Sequence, residues 1–100
     1  MHAVIHHHIT DSAKWDLVSK NMRSMIEQGR LPRGLKPLEY LPSADGRKAD
    51  CVWEVESLDA LKQFIDRETS GAARNDYFVV KDQDAIGLPK GEEAVLAHAA

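Results

Sequence analysis

The chain predicts an α+β domain in which strands and helices follow the order βαββαβ. Three observations carry this. Apolar residues recur at helical spacing in two segments, they alternate at period two in the segments between and around them, and an Asp45-Gly46 turn joins the two strands that follow one another directly.

The first strand is "AVIHHHIT", residues 3 to 10, where Val4, Ile5 and Ile9 flank three consecutive histidines. A purification tag would be longer, set off by linker residues and without alternation, so the run reads as a native strand. Thr10-Asp11-Ser12 offers N-cap side chains to a helix from Ala13 to about Gln28, in which Trp15, Val18, Met22, Met25 and Ile26 form the apolar stripe. Leu17 lies beside that stripe. Gly29 suits the left-handed position that ends it, and Arg30 and Arg33 lie just beyond its negative pole.

After "LPRG", the stretch from Leu35 to Leu41 is predicted as an edge strand, because Pro37 and Pro42 cannot donate to a ladder. The insert "PSADGRK" turns the chain into "ADCVWEVE", which alternates strongly. Ser57 caps a second helix with Leu58, Leu61, Phe64 and Ile65 on its buried side and Asp59 at its positive end, and Gly71 stops it. "YFVV", residues 77 to 80, is the last strand, "KDQDAIGLPKG" an irregular exit, and "EEAVLAHAA" one or two helical turns that need docking to persist. Right-handed crossovers then give a four-stranded antiparallel sheet of order 4-1-3-2 with both helices on one face, a ferredoxin-like arrangement. Residues 1–88 form the domain and 89–100 a C-terminal tail.

The totals narrow the functional classes. One hundred residues suit one domain and one core, and 43% apolar with 29% charged residues is ordinary for a folded chain. A net charge of -3 without a basic block argues against nucleic acid and anionic membrane as partners. Cys51 is the only cysteine, which rules out an internal disulfide and suits a reducing compartment; with no long apolar segment and no signal-like start, a cytoplasmic location is expected. The βαββαβ order also occurs in RNA-recognition domains, but "ADCVWEVE" is acidic and carries one aromatic where base stacking needs several.

Alternation sorts the residues of the central strands. Ile5, His7 and Ile9 share a face with Cys51, Trp53 and Val55, and this more apolar face belongs under the helices. Val4, His6 and His8 share the other face with Val52 and Glu54. The edge strands carry apolar residues on both sides, Leu38 and Tyr40 against Leu35 and Leu41, Phe78 and Val80 against Tyr77 and Val79. Such a face calls for a cover, and a second copy related by a two-fold axis supplies one, leaving a cavity between facing sheets.

The arrangement resembles the dimeric α+β barrel superfamily. More narrowly, "VIHHHI" at 4 to 9, "CVWE" at 51 to 54 and the following "SLDALKQF" resemble a bacterial family of small ferredoxin-like domains that includes nickel-binding proteins. That family's first strand reads apolar-Val-Glu-Arg-His-apolar and its third Cys-apolar-aromatic-Glu. His8, Cys51 and Glu54 correspond by position, while His6 and His7 stand where the family has Glu-Arg. "GRLPRGLKPLEYLPS" is similar to the helix exit and second strand of a neighbouring uncharacterised family. The wider superfamily includes cofactor-free monooxygenases and isomerases, so the resemblance implies a homodimer with a ligand cavity.

Two chemistries suit the histidines. His6 or His8 as a base, oriented by Glu54, with Tyr40 bonding a carbonyl and Val4 and Val52 lining the space, would act on a small organic molecule. Alternatively His6 and His8, two apart on one strand face, with Glu54 as a possible oxygen donor, would ligate a divalent metal such as Ni, Zn or Cu. A third reading is a non-catalytic interaction protein. His7 reads as a satisfied core histidine and Cys51 as a small buried hydrophobe.

Overall fold

The computed structural model describes residues 1–88, so the expected tail at 89–100 lies outside the described residues. Its elements are β1 (His2–Ile9), α1 (Ser12–Glu27), β2 (Leu35–Pro42), β3 (Lys48–Val55), α2 (Leu58–Glu68) and β4 (Ala73–Val79), followed by one 3-10 turn (Asp82–Asp84). The four strands form one antiparallel sheet of order β2-β3-β1-β4, so the predicted ferredoxin-like topology is the observed one. No helix among the described residues is long and apolar enough to cross a membrane.

Local chemistry accounts for the boundaries. Asp11 caps α1, its carboxylate accepting from the Lys14 amide at 3.0 Å, and Ser57 caps α2 through the Ala60 amide at 3.2 Å. Gly29, at φ +65°, takes the left-handed turn after α1. Pro37 and Pro42 lie on β2, which is an edge strand as proline requires.

Two positions depart from the sequence reading. A β-bulge between Pro37 and Glu39 inserts Leu38, which is fully buried, and shifts the parity of β2. Leu35 and Tyr40 therefore lie on the same, helix-covered side, opposite Val55 and Cys51, while Leu41 lies on the other side opposite Asp50. Strand β4 begins at Ala73 rather than residue 77. Its polar start, "ARND", reads as loop but alternates in the ladder, with Asn75 inward and Arg74 and Asp76 outward.

The core has two parts, both between sheet and helices. The larger joins Ala3, Ile5, Trp53 and Val55 of the sheet to Met25, Leu61, Phe64 and Ile65 of the helices, with Leu35 at its edge. The smaller centres on Trp15, Ala49 and Ala72, with Ile9, Val18 and Tyr40 against it. Leu61→Ala removes a fully buried side chain and is expected to cost about 2–5 kcal/mol, whereas Leu17→Ala, at a residue 66% exposed, should stay within about 0.5 kcal/mol. Urea titration of both variants checks this; equal losses would contradict the assigned faces of the helices.

Candidate functional site

The three histidines of β1 part company because a strand sends successive side chains to opposite faces. His7 points inward at the seam between the two parts of the core and is only 2% exposed. Its ring stacks at a tilt on Trp15, with centroids 4.9 Å apart. Both ring nitrogens are satisfied. Nδ1 lies 2.6 Å from Asn75 Oδ1, and Nε2 lies 3.1 Å from Cys51 Sγ.

The network assigns the protons. Asn75 directs its amide nitrogen at Asp66 Oδ1 (3.0 Å) and Thr69 Oγ1 (2.8 Å), so its oxygen faces His7 and must accept. His7 therefore carries its proton on Nδ1, and the bare Nε2 accepts from the Cys51 thiol. Thr69 in turn donates to the Ile65 carbonyl at 2.8 Å, and the Tyr77 hydroxyl donates to Asp66 at 2.6 Å, tying the network to α2. Burial is the main influence on both central groups: it holds His7 below the usual imidazole range, against its bond to Asn75, and pushes the Cys51 thiol up to about 12. The resting pair is thus neutral imidazole and neutral thiol.

Beside this network a cavity of about 100 Å³ opens between α1 and the sheet. His7, Cys51 and Tyr40 line its sheet side together with Trp53 and Pro37, and Trp15, Val18, Met22 and Ile26 line its helix side. The Tyr40 hydroxyl accepts from Trp15 Nε1 at 3.2 Å. Arg23 and Glu39 supply the charges at the wall, and the rest of the lining is almost wholly apolar.

On the opposite face, His6 Nδ1 meets Asp50 Oδ1 at 2.5 Å and His8 Nε2 meets Asp76 Oδ2 at 2.9 Å, with the two imidazoles edge to face at 4.5 Å. The bond from His8 holds the Asp76 carboxyl below the usual range. Val4 sits between Val52 and Phe78 in the next row of the sheet. Phe78 and Leu41 are exposed there, at 56% and 50%.

Several expected groupings are not formed. Glu54 pairs with His2, four residues along β1 from His6 and hence about 13 Å away, so it does not orient His6 or His8. Tyr40 lies on the helix side, across the sheet from those histidines, because of the bulge. Among the described residues no three His, Cys, Asp or Glu side chains are arranged to hold a metal ion; the His6 and His8 nitrogens are aimed at aspartates instead. Asp50, Asn75 and Asp76 were missed by sequence reasoning. Alternation along β3 gives the face of Asp50 but not its place beside His6, and Asn75 and Asp76 precede the strand expected at 77 to 80.

No protein-family model, curated protein or solved structure matches this chain.

A histidine kept neutral by burial ties stability to pH. Below about 6.5 the unfolded chain binds a proton that the folded His7 resists, so stability present above that value is lost as pH falls toward the lowered folded-state pKa. Thermal unfolding followed from about pH 7 to about pH 5 should show this slope, and His7→Gln should remove His7's share of it. An unchanged slope in the variant would contradict the assignment.

Proposed function

We propose that this protein binds a small, uncharged, largely apolar organic molecule in the cavity between α1 and the sheet, and acts on it there. The observation that carries this reading is the combination of an apolar cavity with three polar groups, His7, Cys51 and Tyr40, on one wall. Binding sites commonly have this composition, in which apolar walls supply affinity and a few placed polar atoms supply orientation. A water needs only about 10–15 Å³ of such space, so the cavity has room for a ligand of several heavy atoms. The site is complete within one chain, which favours it over a cavity that needs a second copy.

A second reading rests on the other face. Exposed Phe78 and Leu41 beside half-buried Val4 and Val52, with the His6–Asp50 and His8–Asp76 pairs in the adjacent rows, support pairing of two sheets as a homodimer. Proton transfer by the paired imidazoles, or metal binding by His6 and His8 completed across the two-fold axis, belongs to this reading.

Cyclohexanone, a neutral ring with one acceptor, is expected to shift the amide resonances of His7, Trp15, Tyr40 and Cys51 in a saturable manner, and Ser19→Trp, which fills the cavity wall, should abolish the effect. Shifts confined to the His6/His8 face would move the site there. For the dimer, sedimentation at micromolar concentration should give twice 11.2 kDa, and Phe78→Asp should return the monomer. A wild-type monomer would exclude the paired-sheet reading.

A further inference from the structure

We propose that Cys51 is a nucleophile, with His7 as its base, toward a small uncharged α,β-unsaturated carbonyl compound held in the helix-side cavity. The inference rests on the binding reading above and names the chemistry of the same site.

The thiol stands beside a base that can take its proton as the sulfur reacts. His7 Nε2 is 3.1 Å from Sγ, within reach for direct proton transfer, and Asn75 Oδ1 on Nδ1 keeps the bare nitrogen turned toward the sulfur. Asn75 is a positioning residue, itself fixed by Asp66 and Thr69. The base comes from β1, the thiol from β3 and the orienting amide from β4, so the constellation is held by the sheet rather than by a loop. Cys51 borders the cavity, so a ligand held there lies against its side chain.

Tyr40 identifies the ligand's polar group. It is the direct cross-strand partner of Cys51 on the same face, which puts the two Cβ atoms roughly 5 Å apart. Its oxygen already accepts from Trp15, and among the described residues its own proton has no acceptor. That proton is available to a carbonyl oxygen beside the thiol.

The largely apolar walls select a neutral electrophile. Conjugate addition needs neither water nor a leaving group. Sγ bonds to the β-carbon, the C=C π pair moves toward the carbonyl, and the enolate oxygen accepts from Tyr40. The thiol proton passes to His7 Nε2 and is returned to the α-carbon. Atoms and charge balance with no oxidant or reductant.

The test uses matched rings with the full chain. Cyclohex-2-enone should give a single adduct, mapped to Cys51 by mass spectrometry, on the order of tenfold or more faster in folded than in urea-unfolded protein. Tyr40→Phe should slow the folded reaction on the order of tenfold, and His7→Gln at least as much. Asn75→Ser should slow alkylation while leaving cyclohexanone binding unchanged. Should His7→Gln fail to fold, Tyr40→Phe and Asn75→Ser carry the comparison. If cyclohexanone binds the unreactive Cys51→Ser variant but the folded wild type is alkylated no faster than the unfolded chain, the nucleophile is refuted and the binding site stands. If cyclohexanone does not bind that variant, both fall.

Discussion

A strand cannot choose where its middle residue points once its neighbours are committed. Ile5 must enter the core, so His7, two residues on, enters it too, and an imidazole arrives where every polar atom needs a partner. Leaving one such atom unsatisfied would cost about 1–3 kcal/mol. The rest of the interior is arranged around meeting that requirement: Asn75 of β4 takes the proton-bearing nitrogen, Cys51 of β3 takes the bare one, and Asp66 and Thr69 of α2 and its C-terminal cap hold Asn75 in place. Among the described residues no buried side-chain nitrogen or oxygen lacks a partner. The network joins three strands and one helix, and so couples the sheet to α2 at the point where the two parts of the core meet.

The same alternation separates two chemistries along one strand. His6 and His8 meet carboxylates at the surface, where solvent competes and each pair is worth little to stability. His7 meets neutral partners in a dry setting, where hydrogen bonds are stronger and charge is expensive. This is why the interior pair rests uncharged, with the thiol pushed up and the imidazole held down by the same burial. A resting neutral pair suits chemistry in which the proton moves only as the sulfur reacts, and the cavity beside it supplies the place for a reacting partner.

The sequence carried the fold further than it carried the site. Helical periodicity, the two capping residues Asp11 and Ser57, and the prolines of β2 were sufficient for element order, sheet order and the inward face of β1 and β3. The bulge at Leu38 was not legible, because an inserted residue leaves composition unchanged while reversing parity; Tyr40 consequently moved from the surface face to the cavity wall. Register was equally invisible. Counting outward from the Asp45-Gly46 hairpin sets β2 against β3 only as far as the bulge and says nothing of β1 against β3, and it is the latter register which sets Asp50, not Glu54, beside His6. The start of β4 was lost for another reason: Arg74, Asn75 and Asp76 are turn-prone residues whose strand conformation is held by partners distant in sequence, His7 and His8 among them.

The dependence of the interior on a neutral His7 is tested directly by long-range proton–nitrogen correlation spectra of its imidazole at neutral pH, which read the protonation state without mutation. A neutral ring with hydrogen on Nδ1 and a lone pair on Nε2 is expected. A proton on Nε2, whether in the opposite tautomer or in an imidazolium facing a Cys51 thiolate, would contradict it.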